Sequence, residues 1–357
     1  MKTTFCGIVL QSPFILGSGP LSYSAEGMIR AHKAGAGAVV TKTIRDIPAN
    51  NPYPHMASLP QKSMINAEKW SDISGDQWVS VEIPKAKTAH VVVIASIGHT
   101  EKEVRNWVEK LDAAGADMVE IVSYDEETMV PMILAAKQLT RKPVIAKLSP
   151  NWRDPLSCAL KVAAAGADAI TAMDSVGPVL RINISTGKPL TGGAQGLGWL
   201  TGSAIKPIIL HHIAQIAKAV TVPIIGLGGV MHAEDAIEMM MVGAGVVGVC
   251  TAPILKGVEY IGTLIEQMDA KMQALGFKSF ETLTGYALEN LGCDEDHRSF
   301  GFTYNPEICT SCMKCIKVCA YESRTLKNHL MEVDLQTCRG CGLCASVCPV
   351  QALKFKQ

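Results

Sequence analysis

Short runs of Val, Ile, Leu and Ala recur through the first 290 residues, and amphipathic stretches separate most of them. One unit repeats: AGAGAVV at 34–40, AGADMVEI at 114–121, AGADAIT at 165–171 and VGAGVVGV at 242–249. Each closes a helix, passes a Gly turn and enters a β-branched strand. Further apolar runs read PFILGS (13–18), VVVIAS (91–96), PVIAKL (143–148) and VPIIGL (222–227). These runs do not alternate with polar residues, so they predict strands buried on both faces, as in helix-covered parallel sheets. Helical periodicity is clearest at 101–114, 127–140, 154–165 and 232–242. Eight βα units in about 250 residues predict a (β/α)8 TIM barrel, with an open doubly wound sheet as the alternative. Residues 243–248, GAGVVG, match a dinucleotide fingerprint. They follow a helix and precede a strand, which reverses the required order, so they read as a turn.

Composition agrees. Aromatic residues are only 5% of the chain, so its core is built from aliphatic side chains. The net charge is zero and no basic tract is present, which argues against nucleic acid. No apolar run reaches spanning length, and the N-terminus lacks a signal-peptide pattern, so a cytoplasmic protein away from membranes is expected.

The last fifty residues change the picture. Cys309, Cys312, Cys315 and Cys319 form a C-x2-C-x2-C-x3-C run, and Cys338, Cys341, Cys344 and Cys348 repeat it before Pro349. Three evenly spaced cysteines wrap three corners of an iron–sulfur cubane, and the fourth reaches the other cluster. Cys309, Cys312, Cys315 and Cys348 are thus predicted to hold one [4Fe-4S] cluster, and Cys338, Cys341, Cys344 and Cys319 the other. Two zinc sites are the alternative. Ala320 stands where the pattern has a turn proline, which affects the turn and no ligand. Residues 297–357 carry eight Lys/Arg against four Asp/Glu, a net +4. That suits anionic clusters, or simply a solvated basic face. The expected domains are a barrel at 1–296 and a ferredoxin-like domain at 297–357.

Barrel chemistry lies at the carboxyl ends of the strands. Lys42 and Lys147 end two of them, and Glu120 interrupts a third. A buried charge needs a partner. Two compatible readings follow: a lysine faces an anionic or electron-rich cofactor, which is the favoured one, and Glu120 neutralises one lysine inside the barrel. Glycines at 226, 228 and 229, at 248, and in Thr201-Gly202-Ser203 fit a phosphorylated cofactor or plain tight turns.

Taken together, PFILGSGP, VVTKT, SMINAEKW, VIASI, IAKLSPN, TGSAIKPI, GLGGV and the doubled cysteine run resemble the FMN and iron–sulfur part of dihydropyrimidine dehydrogenases, within the dihydroorotate dehydrogenase superfamily. The resemblance spans nearly the whole chain in order. It implies an FMN oxidoreductase acting on a CH–CH or C=C bond. Ser18, Lys42, Thr43, Lys147, Gly202, Gly228, Gly229, Cys250 and Thr251 would contact FMN, and Asn66 would face the substrate. Electrons would pass between FMN and the clusters to a ferredoxin or to a partner subunit carrying FAD and binding NAD(P)H, in an oligomer.

The resemblance fails where substrate is recognised. Family members end strand 4 in Asn-Leu-Ser-Cys-Pro, whose cysteine is the general acid/base. Here the run is VEIVSYDEET, with Val122 at the asparagine position. After strand 6 the family has Thr-Asn-Thr, and here the run is Ala172-Met173-Asp174-Ser175. Loss of these amide partners predicts a different substrate. Tyr124 and Asp125 are the candidate acids, and Asp174 and Ser175 candidate substrate contacts. Cys6, Cys158 and Cys293 read as buried apolar residues, and His55 and His99 as solvated loop histidines. A dihydropyrimidine dehydrogenase subunit and a non-catalytic electron relay remain open.

Overall fold

The computed structural model describes residues 2–292 and 301–356, and the chain separates into units Met1–Asn290 and Leu291–Gln357. The expected boundary at 296/297 and Cys293 lie outside the described residues.

The first unit is a closed barrel of eight parallel strands. They are β1 (Phe14–Leu16), β2 (Ala38–Val40), β3 (Val93–Gly98), β4 (Met118–Val122), β5 (Val144–Lys147), β6 (Ala169–Ala172), β7 (Ile224–Leu227) and β8 (Val246–Val249). Each neighbours its successor, and β8 pairs with β1, with Val247 opposite Phe14. The principal helices are α1 (Ala25–Lys33), α2 (Ile83–Thr88), α3 (Glu101–Ala113), α4 (Met129–Leu139), α5 (Pro155–Ala164), α6 (Lys206–Ala219), α7 (Ala233–Met241) and α8 (Tyr260–Ala274).

The repeated AGA(D/G) unit is the corner of this fold. Gly35, Gly115, Gly166 and Gly243 all have φ between 97° and 113°, where a side chain would be strained. Where the unit ends in Asp, the carboxylate ties the preceding strand. Asp117 Oδ2 accepts from Val93 N and Asp168 Oδ2 from Val144 N, both at 2.7 Å. Helix α3 illustrates the local logic. Thr100 caps it by accepting from Glu103 N, and Val104, Trp107, Val108 and Leu111 bury one face at helical spacing.

Inside the barrel, Ile15, Val40, Ile94, Met118, Ile145, Ala169, Ile225 and Val246 form one apolar cluster. Phe5 and Leu10 of an N-terminal hairpin complete it. The hairpin therefore plugs the end opposite the carboxyl ends of the strands. At the other end two insertions build a four-stranded antiparallel sheet, in the order Val176–Val179, Gly198–Gly202, Ser63–Asn66, Met56–Leu59. No helix among the described residues is long and apolar enough to cross a membrane.

The second unit is a pair of hairpin-like strand pairings around two short helices. Gly301–Tyr304 pairs with Leu353–Lys356, and Arg324–Lys327 with Leu330–Val333. Lys314–Lys317 and Leu343–Ser346 each carry the third cysteine of a run.

Candidate functional site

A cavity of about 510 Å³ opens at the carboxyl ends of the barrel strands. That volume suits a cofactor with its substrate. It gathers Ser18, Lys42, Thr43, Asn66, Tyr124, Lys147, Asp174 and Ser175, all expected from sequence. It also takes in Glu68, Trp70, His99, Asn151, Trp152 and Trp199, which were not.

Both strand-end lysines are buried. Lys42 Nζ lies 2.8 Å from Glu68 and donates to Lys69 O at 2.9 Å. Lys147 Nζ lies 3.3 Å from Asp174. Burial works against charge on both members of this pair, but their mutual attraction outweighs it. It holds the Asp174 carboxyl below its ordinary range and lifts the Lys147 ammonium above its own. The carboxylate that neutralises Lys147 is therefore Asp174, and not Glu120, which the sequence offered for that role. Glu120 instead accepts from Thr171 Oγ1 at 2.9 Å, and burial pushes its carboxyl up.

One wall of the cavity is aromatic. Glu103 accepts from Arg45 Nε at 2.8 Å, and the Arg45 guanidinium lies 4.5 Å over the Trp70 ring. Trp70 meets the edge of His99, whose ring stacks on Tyr124 at 4.1 Å and 8°. Trp152 Nε1 donates to Tyr124 O at 3.1 Å and braces that loop. His99 is thus a wall residue and not a solvated loop histidine. Burial, assisted by Arg45, pushes its imidazole down to about 4, so it is neutral at pH 7. Its Nδ1 is buried without a hydrogen-bond partner. Tyr124 is 63% exposed as a residue, but desolvation of its hydroxyl, and then the Asp174 charge, pushes that group up, so it keeps its proton at neutral pH.

Asp125 is not in the cavity lining. It is exposed, and its carboxylate caps the turn Glu126–Thr128 by accepting from Glu127 N. His55 is partly buried, with Nδ1 3.1 Å from Pro52 O. Cys158 is buried, whereas Cys6 is half-buried with its thiol 3.8 Å from Asp168 O. Gly202, Gly228, Gly229, Cys250 and Thr251 stand outside the lining, at the ends of the capping sheet, β7 and β8. Packing alone demands these glycines. All three have positive φ, and a Cβ would meet Lys62 O at 2.4 Å, Ile209 Cγ1 at 2.9 Å and Lys206 Cβ at 2.5 Å respectively. Cys250 Sγ lies 3.8 Å from Ser18 O.

In the second unit Cys309, Cys312, Cys315 and Cys348 line one cavity, as the spacing predicts for a cluster that borrows its fourth ligand from the other run. The two runs share their left-handed positions. Positive φ falls at Ser311 and Gly340, at Met313 and Gly342, and at Glu322 and Gln351, always 29 positions apart. Among the described residues no three metal-ligating side chains converge on a single ion. One zinc requires sulfurs about 2.3 Å from a common centre. A cubane keeps its four thiolates apart, so the donor set fits clusters.

The dihydroorotate dehydrogenase family model matches residues 1–272, three quarters of the chain. The chain belongs to the dihydroorotate dehydrogenase family. Models of 4Fe-4S binding domains match residues 306–322 and 331–354. The dihydroorotate dehydrogenase B (NAD(+)) catalytic subunit of Methanothermobacter thermautotrophicus is 31% identical over 303 residues, covering 80% of this chain and 98% of that one. The subunit of the same name from Pyrococcus furiosus is 31% identical with the same coverage. The NAD-dependent dihydropyrimidine dehydrogenase subunit PreA of Escherichia coli is 27% identical over 99% of this chain and 95% of its own. That match extends through both units. The protein is therefore an oxidoreductase acting on CH–CH donors, with FMN and two [4Fe-4S] clusters as its cofactors. The barrel cavity fits FMN, since two buried lysines and the Ser18 and Thr43 hydroxyls supply the donors that an electron-rich flavin edge requires.

Proposed function

We propose that the barrel acts on the electron-poor C=C bond, or its reduced counterpart, of a planar small molecule other than a pyrimidine. The observation that carries this is the stacked His99–Tyr124 pair facing the Lys147–Asp174 ion pair in one cavity. The aromatic wall favours a flat π-system. Asp174, Asn66 and Asn151 offer acceptors to N–H or O–H groups of that molecule. Bound FMN supplies hydride transfer. Lys42 and Lys147 would hold it, and Tyr124 Oη would deliver or take the proton that the family's cysteine handles. Asp125, committed to its turn, is left out of this role. Electrons travel through the clusters to a partner flavoprotein that binds a pyridine nucleotide, or to a ferredoxin, consistent with the subunit nature of the relatives.

The test uses anaerobically photoreduced holoenzyme. Aryl-substituted α,β-unsaturated carbonyl compounds should reoxidise the flavin, and uracil, thymine and orotate should not. Rapid reoxidation by a pyrimidine would overturn the changed-substrate reading. Reoxidation by ferredoxin alone would leave an electron relay. Tyr124→Phe should slow reoxidation by about 10²–10⁴-fold, and an unchanged rate removes Tyr124 from the chemistry.

A further inference from the structure

The second unit contains a charge that its own fold does not neutralise. Arg324 is 3% exposed, five residues beyond Cys319 on the strand Arg324–Lys327. Its NH1 lies 3.0 Å from the thioether of Met331, and its guanidinium stacks 4.5 Å over Phe302. Neither contact carries negative charge. Its NH2 is buried with no hydrogen-bond partner, and Arg324 forms no salt bridge among the described residues. A guanidinium cannot shed its proton to escape burial. Leaving it unpaired in a small core costs several kcal/mol.

The compensating charge has to come from the clusters. Met331 sits in the apolar core that also holds Cys344, with Phe302, Cys315 and Cys348 packed against it. Cys315 and Cys348 belong to one cluster, and Cys344 to the other. Through Met331 the guanidinium abuts the one small core that holds ligands of both clusters.

We propose that Arg324 is a built-in electrostatic tuner, whose free NH2 donates to a cluster sulfur and whose charge favours the reduced state of the adjacent cluster. One-electron reduction adds negative charge to an already anionic group. A fixed cation in a dry core stabilises the product more than the reactant. The general basic character of the unit does not do this, because exposed lysines are screened by water and salt.

The experiment is an EPR-monitored reductive titration of the full-length holoenzyme, with iron and acid-labile sulfide counted in each variant. Arg324→Met keeps the bulk and removes the charge. It should make reduction of one cluster at least tenfold less favourable, a fall of about 59 mV for one electron. Arg324→Lys should stay within threefold of the parent. A potential unmoved in Arg324→Met at full iron content overturns the proposal. If Arg324→Met loses iron, retention in Arg324→Lys supports it, because the two side chains differ chiefly in charge. Iron loss in both overturns it, since packing would then explain the residue.

Discussion

Replacing Glu103 with glutamine tests how the aromatic wall is held. Five donors converge on its carboxylate. Arg45 Nε and Asp46 N reach Oε1, and Arg45 NH2, His99 N and Thr100 Oγ1 reach Oε2, at 2.7–3.2 Å. An amide nitrogen placed at Oε1 abolishes two of these bonds and turns a donor towards two donors. Charge-assisted bonds contribute about 1.5–3 kcal/mol each. The Arg45 side chain is 22% exposed and regains some water, so the loss should settle near 3 kcal/mol. Equilibrium urea unfolding of the holoprotein, followed by far-UV circular dichroism, measures it as a lower midpoint at unchanged slope. The variant should also weaken substrate binding, because His99 loses its backbone anchor. A stability loss below about 1 kcal/mol would show that water or Arg45 rearrangement replaces the carboxylate, and the wall would then owe little to Glu103.

Acid should destabilise the barrel in the same assay. The Glu103 carboxyl is held below its ordinary range, since the Arg45 and backbone hydrogen bonds outweigh burial. Its contribution is complete above the unfolded value, is lost as pH falls through the folded one, and should vanish from the Glu103→Gln profile. Lys147→Met should lower the flavin-to-protein ratio after gel filtration, because the cavity loses a buried cation and the half-buried Asp174 carboxylate is left without its ion-pair partner. Met313→Gly and Ser311→Gly should slow cluster loss to a chelator, each relieving about 1 kcal/mol of left-handed strain, whereas Gly342→Ala should speed it.

The barrel was legible because its strands are unbroken aliphatic runs, each delivered by a corner that only glycine can turn. The capping sheet was not. Its strands are short, rich in Ser and Gly, and paired across more than 130 residues, as between Leu200 and Ile65. The cavity was half legible for the same reason. Lys42 and Lys147 announce themselves as charges at strand ends. Trp70, Trp152 and Trp199 are isolated from one another in the sequence, yet the fold assembles three of the chain's five tryptophans in one place. Tyr124 and Asp125 are indistinguishable as neighbours in a polar loop, and the turn Asp125 caps is what separates them. The doubled cysteine spacing announced two clusters, because three evenly spaced cysteines suit few other centres. Arg324 carried no such signal, since a lone arginine near a basic tail looks like surface.

The pairing of Gly301–Tyr304 with Leu353–Lys356 has a consequence for how such a molecule is assembled from parts. The first and last strands of the cluster unit lie side by side, so its folded part is entered and left at nearly one point. A module with that geometry can be spliced into a surface loop, or fused at a terminus, without prising its own ends apart. It is a portable connector, and grafting it onto another flavin barrel demands only a tether of the right length.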